Sequence, residues 1–365
     1  MRMIVSLIAL LFIAAPVWAM ETEKHEQGES NIHWHGYGEV HYEMPSGEVA
    51  RMDAHRMVWG LSYDFSDKIS LHTEVDFEHA AQEMELEYAY VDILINPAFN
   101  VRAGGVLMPV GPLNEFHEPT LFYSVERPNV EKFIIPTTWN EGGIGIFGSP
   151  AEGLKYRVYL VSGLDAGKFS DTDGIRGGRG KISGGSGSVA SKPPKTGDEL
   201  AFVGRVEYAP LAGLDLGLSL YQGGANQSKN TALGDAAVGI VTTDVRLRKA
   251  GLDLRAVYVK TKIDDADKVS AVTTKTIGEE ISGMYLEAAY KIGSFVPFVR
   301  IEQFNTQDKV TAGKTADPKN DRDVLSLGLA YYPHPDIAFK VDSHKEENGK
   351  NEVSTQTNMG VAYMF

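Results

Sequence analysis

The sequence predicts an all-β fold, a transmembrane antiparallel β-barrel of about 16 strands with a constriction loop folded into its lumen. Three observations support this prediction. The chain begins with an export signal, continues with about 16 segments in which polar and apolar residues alternate, and ends on an aromatic residue. Segments of about ten alternating residues, joined by turns and loops of unequal length, are typical of outer-membrane barrels.

Residues 1–19 have the pattern of a cleaved signal peptide. Arg2 supplies the positive charge, an apolar stretch follows, and Ala19 ends a cleavage site of small residues. The apolar stretch is short for a membrane anchor, which needs about 20 residues. We therefore expect a mature chain with a short periplasmic segment at 20–31 and an outer-membrane barrel at 32–365.

The predicted strands follow the alternation along the chain. Short connections rich in Gly, Pro, Asn and Asp follow the even strands, and longer links follow most odd strands. With short turns on the periplasmic side, both chain termini lie in the periplasm. Counts of 14 or 18 strands remain open. The predicted segments are 32–43, 52–65, 69–79, 84–95, 99–108, 141–148, 154–163, 200–209, 214–222, 240–248, 252–262, 281–291, 295–303, 323–332, 336–344 and 355–365.

Residues 358–365 predict the closing strand. Met359, Val361, Tyr363 and Phe365 share one face, and the intervening residues share the other. A polar residue, a glycine two positions later and two aromatics, the second of them terminal, resemble the signal recognised by the outer-membrane barrel assembly machinery. We therefore expect that machinery, outer-membrane lipid and lipopolysaccharide to be partners of the chain.

Each predicted strand has one lipid face and one lumen face. In 214–221 every second residue is Leu, so the leucines face lipid while Asp215, Ser219 and Tyr221 face inward. A soluble two-sheet sandwich also alternates, but it lacks the regular succession of short and long links and the terminal aromatic. A barrel of about 16 strands leaves room for an aqueous channel.

The lumen is predicted to carry charges of both signs. The chain has a net charge of −14 and no cysteine, which argues against a general nucleic-acid-binding surface and excludes disulfides. Facing charges in a wet pore filter ions. The alternation turns inward Arg56, Arg102, Arg157, Arg205, Arg246, Arg248, Arg255, Arg300 and Lys340, together with Glu39, Asp64, Glu74, Asp76, Glu207, Asp215, Asp244, Asp253, Glu287, Glu302 and Asp342.

The link 109–140 is the predicted constriction loop. It combines charged residues with apolar residues such as Leu121, Phe122 and Ile134, which suggests packing against an inner wall. A cap docked outside the pore is the alternative. With Arg102, the loop is expected to form the narrowest zone through Glu115, His117, Glu118, Glu126, Arg127, Glu131 and Lys132.

Several motifs resemble the phosphate-selective porin (O/P-type) family and its relatives. They are the stretch 101–111, the Glu-Arg-Pro of 126–128, and the glycine-rich 141–148, with weaker similarity at 295–302 and 331–340. The resemblance implies a sixteen-stranded, often trimeric, general or anion-preferring porin. That family's selectivity depends on a ladder of basic residues, whereas this lumen is mixed and its loop is acidic, so phosphate specificity does not transfer.

Few other residues suggest a metal-binding or ligand-binding site, and no cofactor is expected. His33, His35 and His41 share one face of the first strand, with His72 opposite, and could hold a divalent metal; pore-lining histidines are the alternative. The glycine-rich 177–182 lacks the Ser or Thr that a phosphate loop needs after its lysine. Segment 174–195 is interpreted as a flexible surface loop with five basic residues, Arg176, Arg179, Lys181, Lys192 and Lys195.

The sequence thus predicts a homotrimeric outer-membrane porin of a Gram-negative bacterium, in which small hydrophilic solutes and ions diffuse passively with a weak cation preference. The alternatives are a non-conducting barrel that acts as a sheath or scaffold for a periplasmic partner, and a phosphate- or anion-selective channel. An enzyme is not expected, because no nucleophile, histidine and acid can be grouped at one rim.

Overall fold

The computed structural model describes residues 31–179, 197–227 and 229–365, and these form a closed antiparallel barrel of 16 strands. Each strand pairs with the next along the chain, and the last pairs with the first. The predicted fold is therefore confirmed. The predicted signal peptide, 1–19, lies outside the described residues.

The strands and the one α-helix found in the described ranges have the following bounds. They are β1 Ile32–Pro45, β2 Arg51–Ser66, β3 Ile69–Glu78, β4 Glu83–Asn96, β5 Phe99–Leu107, β6 Asn140–Ala151, β7 Leu154–Ser162, β8 Leu200–Leu211, β9 Leu214–Gly224, β10 Ala237–Lys249, β11 Leu252–Asp264, α1 Ala266–Thr273, β12 Gly278–Tyr290, β13 Phe295–Val310, β14 Asp321–His334, β15 Ile337–Asn348 and β16 Val353–Met364. Within the described ranges, no helix has the length and apolar character needed to cross a membrane.

The two ends of the barrel differ in the length of their connections. At the turn end, neighbouring strands are joined by turns such as 67–68, 97–98 and 152–153. At the loop end lie eight loops, which we name L1 to L8 in chain order. They are L1 (46–50), L2 (79–82), L3 (108–139), L4 (163–199), L5 (225–236), L6 (265–277), L7 (311–320) and L8 (349–352), of which L3 and L4 are the longest.

The carboxy-terminal strand closes the barrel through direct backbone pairing. The Gly36 amide donates to the Phe365 carbonyl (3.0 Å), and the Phe365 amide donates to the Gly36 carbonyl (2.9 Å). The Phe365 ring also meets Trp59 edge-on, with centroids 6.2 Å apart. A Cβ on Gly36 would lie 2.7 Å from the Phe365 ring, so only glycine allows this approach.

The outer surface is apolar and carries aromatic residues near the turn end. Leu218 and Leu220 point outward, while Ser219 and Tyr221 between and beside them are buried inside, as predicted. An apolar belt bordered by aromatic side chains is the surface that a bilayer requires. Exposed aromatics close to the turns are Phe65, Phe99, Tyr208, Tyr290, Phe295, Tyr331, Phe339 and Phe365.

Two β-bulges change which residues face the lumen. In β4, Tyr88 pairs with Glu74 and Leu86 pairs with Val75, so Glu87 is an extra residue and its side chain is buried inside. In β2 the register shifts between Arg56 and Asp53, and His55 stacks on the inward His41. A bulge reverses the alternation locally, so these side chains face inward against the simple pattern.

The loop-end half of the lumen is packed like the interior of a soluble protein. L3, L4, L5 and L6 contribute buried apolar residues to one cluster with the inward side chains of the strands, including Ile134, Phe169, Leu233 and Val269. Ile175 of L4 belongs to the same cluster. The prediction of a flexible surface loop is therefore wrong for 174–179, and residues 180–196 lie outside the described ranges.

Candidate functional site

One side chain holds together the two ends of L3, which we call its neck. The Asn114 amide group donates hydrogen bonds to the carbonyls of Met108 (2.7 Å) and Trp139 (2.8 Å), and its oxygen accepts one from the Trp139 amide (2.8 Å). Asn114 and Trp139 are fully buried. Both ends of the loop are therefore held at one point of the wall, and the remainder extends into the lumen.

A glycine turns the loop away from the neck. Gly111 has φ of +72° and its amide donates to the Ser219 hydroxyl on β9 at 3.3 Å. A Cβ at this position would lie 2.7 Å from the Ile135 side chain. Both the left-handed backbone and the close contact require glycine.

The first half of L3, residues 114–127, is held by polar contacts, and we call it the polar half. His117 Nε2 lies 2.9 Å from the Tyr37 hydroxyl and 3.2 Å from Glu87 Oε1. Arg56 donates to the His117 carbonyl at 2.8 Å. Burial lowers the pKa of His117, but the Glu87 carboxylate outweighs it, so the pKa is raised above 6.5.

The polar half also reaches opposite sides of the barrel. Glu115 accepts from Arg157 on β7 at 2.8 Å, and the Val125 amide donates to Asp342 on β15 at 2.6 Å. Lys340 on β15 donates to the Ser124 carbonyl at 2.9 Å. Because β7 and β15 lie opposite each other in the strand order, the loop spans the lumen.

Residues 130–139 form the apolar half of L3. Phe133 stacks on Phe304 with centroids 5.6 Å apart, and Ile134 and Ile135 are fully buried. Glu131, also fully buried, accepts a hydrogen bond from the Tyr285 hydroxyl (3.2 Å). Burial, with the Asp244 carboxylate adding to it, raises the pKa of Glu131 to about 8.

L4 lies against the apolar half. Arg179 donates to the carbonyls of Pro136 (3.1 Å) and Thr138 (2.7 Å), and burial lowers its pKa to about 10. Arg322 on β14 donates to the Thr172 carbonyl of L4 at 3.0 Å. The two loops thus form one layered unit in the loop-end half of the barrel.

The predicted lumen arginines lie inside and are mostly paired with carboxylates. Arg102 donates twice to Asp92 (2.8 Å each), and its guanidinium carbon lies 3.9 Å from the centroid of the Tyr90 ring. Arg255 is buried near the centre of the lumen. The other pairs are Arg205 with Asp244 (2.8 Å), Arg246 with Asp253 (2.6 Å), and Arg300 with Glu287 and Glu302 (3.0 Å each).

Two polar cavities remain on the turn-end side of L3. The first, of about 370 Å³, lies among Arg102, Arg157, Glu115 and Glu118. The second, of about 430 Å³, lies between L3 and a wall that includes Arg205, Arg246 and Arg255. Phe116 and Lys155 line both cavities, so the Phe116 ring stands between them.

The remaining predicted residues lie apart from these cavities. Glu126 pairs with Lys132 at 3.5 Å, and burial lowers the pKa of the neighbouring Arg127. His33 contacts Asp64 (3.1 Å) and His35 contacts Glu74 (3.0 Å). His41 instead contacts Glu39 and Glu126, so the three histidines of β1 do not converge.

Sequence reasoning missed Asn114, Glu87, His55 and the inward packing of Arg179. Glu87 and His55 face inward through bulges, which leave no mark in the alternation. Asn114 gave no signal of its own, because it stands beside the charged Glu115 in a polar stretch of the link.

Comparison with known proteins defines what the chain is similar to. No family profile matches it. An uncharacterized protein of Aquifex aeolicus (strain VF5) is 29% identical over 357 residues, which cover 90% of this chain and 79% of that protein.

Solved structures with the same architecture are outer-membrane proteins. The outer membrane channel DcaP of Acinetobacter baumannii has a TM-score of 0.62 at 11% identity, covering 94% of this chain and 99% of that chain. Salmonella typhi OmpF in complex with daunomycin has a TM-score of 0.61 at 10% identity, covering 92% and 97%. An anion-selective porin from Comamonas acidovorans has a TM-score of 0.58 at 12% identity, covering 92% and 100%. At these identities the similarity concerns the fold, which is that of a transmembrane porin-type barrel.

Proposed function

We propose that this protein is an outer-membrane porin through which small hydrophilic solutes and ions diffuse passively, with L3 shaping the narrowest part of the passage. The observation that carries the proposal is the path of L3, which spans the lumen and leaves two charged cavities on its turn-end side. Rings of charged side chains around a narrow aqueous passage are the usual means of selecting small ions and solutes. Under this proposal the turn end faces the periplasm.

The constriction is assigned to residues of both cavities. Arg102, Arg157, Glu115, His117 and Glu118 line the first cavity. The wall of the second carries Arg205, Arg246 and Arg255, while Arg300, Glu126, Arg127 and Lys132 hold the loop or surround it. Most of these charges are paired, so the passage would favour hydrated polar solutes over one strongly preferred ion.

The charges of the second cavity replace the weak cation preference expected from the sequence with a weak anion preference. Its lining holds the cations Lys155, Arg205, Arg246, Arg248 and Arg255 against the carboxylates Glu207, Asp215 and Asp244. We expect a zero-current potential with the sign of weak anion preference across a planar bilayer under a KCl gradient. The opposite sign would mean that the net acidity of the chain governs selectivity.

The decisive experiment is single-channel conductance of the purified protein and of a variant that lacks residues 113–135. The deletion should raise the conductance, because it removes the part of L3 that crosses the lumen. Deletion of residues 312–316, in L7, is the matched control and should leave conductance unchanged. Heat-modifiable electrophoretic mobility checks that each barrel has folded. An unchanged conductance in the L3 deletion would place the narrowest zone elsewhere.

A non-conducting barrel is the second candidate, and the apolar cluster inside the loop-end half favours it. L3 to L6 pack there as tightly as a soluble core, which suits a plugged scaffold as well as a narrow channel. Absence of conductance from the folded wild-type protein, with channels from the L3 deletion, would support this candidate.

The proposed assembly is a homotrimer inserted by the barrel assembly machinery and surrounded by lipid and lipopolysaccharide in the outer membrane of a Gram-negative cell. The resemblance to the phosphate-selective porins implies a trimeric, general or anion-preferring porin, and a phosphate- or anion-selective channel is the alternative. Cross-linking in outer-membrane fractions tests the trimer. Competition of phosphate with chloride current tests the selectivity.

A further inference from the structure

Three imidazoles and two carboxylates from four separate parts of the chain meet at the loop end of the barrel. They are His41 of β1, Asp53 and His55 of β2, His79 of L2 and Glu126 of L3. They form two overlapping groups, His41–His55–Glu126 and Asp53–His55–His79. In each group, one ligand atom per residue lies within 4.8 Å of the others.

His41 is oriented as metal-binding histidines are. Its Nε2 lies 2.9 Å from Glu39 Oε2, and Glu39 in turn accepts from Arg56 at 2.6 Å. All three side chains are buried. A histidine that ligates a metal through one nitrogen usually donates the other N–H to a carboxylate, which fixes the ring and its tautomer. Here Glu39 accepts the hydrogen bond from Nε2, so Nδ1 is the nitrogen that a metal could occupy in place of its proton.

The free nitrogen of His41 points at an oxygen. His41 Nδ1 lies 3.2 Å from Glu126 Oε1, yet it has no hydrogen-bond partner of acceptable geometry among the described residues. A proton can bridge the two atoms, and a metal ion would replace that proton. In a tetrahedral site with metal–ligand bonds of about 2.0–2.2 Å, neighbouring ligand atoms lie roughly 3.3 Å apart, which matches this spacing.

The second group shares His55 with the first. The His55 ring stacks on the His41 ring with centroids 4.4 Å apart. Asp53 Oδ2 lies 3.2 Å from His55 Nδ1 and 2.7 Å from His79 Nδ1. The His79 amide donates to the His55 carbonyl at 3.0 Å, which holds L2 over the cluster. The His79 side chain is 44% exposed, so an ion can reach the group from the loop end.

We propose that His41, His55 and Glu126 bind one Zn²⁺ ion, which fastens L3 to β1 and β2, and that Asp53 and His79 orient His55. Imidazole nitrogens combined with carboxylates suit Zn²⁺, whereas Ca²⁺ and Mg²⁺ prefer ligand sets made of oxygen. Because Glu126 belongs to L3 and the other two ligands belong to the wall, the ion joins the loop to the barrel.

The test is Zn²⁺ titration of the folded mature protein in detergent, with bound metal quantified after removal of free ion. We expect one Zn²⁺ per chain, not displaced by Ca²⁺ or Mg²⁺. The substitutions Glu126→Gln, His55→Gln and His79→Gln should each weaken binding by about tenfold or more. His33→Gln is the matched control, because His33 also lies on β1 beside a carboxylate, and it should bind as the wild type does.

Two results would overturn the proposal. One is a wild-type protein that retains no Zn²⁺. The other is that the three variants bind Zn²⁺ as tightly as the wild type or the His33→Gln variant does, while their electrophoretic mobility shows that the barrel is folded. The measurement needs no conductance, so it is independent of the proposed function. A barrel that conducts without binding Zn²⁺ contradicts only the metal site, and one that binds Zn²⁺ without conducting contradicts only the porin.

Discussion

The two halves of L3 are attached to the same barrel by different kinds of contact. The polar half is held by directional bonds, such as His117 with Glu87 and Glu115 with Arg157. The apolar half is held by burial of Ile134, Ile135 and Trp139. Burial of apolar surface is non-directional, whereas a hydrogen bond can be exchanged for one to water. We infer that the apolar half fixes the loop in place and the polar half shapes the passage.

The largest effect is expected from removal of an apolar anchor. Trp139→Ala should lower the free energy of unfolding by about 3–5 kcal/mol, because a fully buried indole leaves a cavity at the neck of the loop. Urea unfolding of the lipid-inserted protein measures this. Trp34→Ala, at an outward-facing and 66% exposed side chain, is the control. Equal losses in the two variants would mean that the apolar half is not the anchor.

A smaller effect is expected in the polar half. His117→Ala leaves Glu87 and the Tyr37 hydroxyl without their buried partner, which should cost about 1–3 kcal/mol. It should also raise single-channel conductance, because the loop tip loses its attachment to the β1–β4 wall. A loss of stability as large as that of Trp139→Ala would remove the distinction between the two halves.

Substitutions of Phe116 test the role of the polar half in conductance and should leave the free energy of unfolding unchanged. Its ring is half exposed and separates the two cavities, so Phe116→Ala should join them and raise conductance. Phe116→Trp should lower conductance by narrowing the same gap. The free energy of unfolding should stay within about 0.5 kcal/mol of the wild type. If both variants conduct like the wild type, the passage does not run past Phe116.

A pH dependence of loop docking is expected from Glu131 in the apolar half. The pKa of Glu131 is about 8 in the docked loop and 4.5 in an undocked one, so the docked form holds the proton more tightly. Docking should be most stable below about pH 4.5 and should weaken steadily up to about pH 8. Protease sensitivity of L3 between pH 4 and 9 measures this.

Two substitutions check that assignment. Glu131→Gln should remove the part of the pH dependence that Glu131 contributes, because the amide does not ionise, and should leave the part due to His117. Glu118→Gln, in the polar half, should retain it. A dependence that is unchanged in Glu131→Gln would assign the titration to another group.

Much of the barrel could be predicted because strand pairing leaves a local signature. Alternation of period two placed Leu218 and Leu220 outside, as the structure has them, and put Asn358 and Ala362 on one shared face, which the structure buries inside. Strand ends were less predictable. β13 extends to Val310, beyond the predicted 303, because its polar continuation pairs with β12 above the apolar belt.

The candidate site was predicted only in part. Link 109–140 was identified from its length and apolar content, but its partners were not, because each contact joins residues distant in sequence. The inward positions of Glu87 and His55 were missed for a second reason, the β-bulges. A single extra residue in a strand reverses the facing of its neighbours, and the sequence carries no marker for it.

The sequence by itself determined the strands, their inward and outward faces and the closing role of the terminal Phe365, since these depend on neighbouring residues and on the contrast between lipid and water. Only the tertiary structure decided the path of L3, the pairing of the lumen charges and the meeting of His41, His55, His79 and Glu126. Those features depend on which distant strands the closed barrel brings face to face, and no local pattern encodes that geometry.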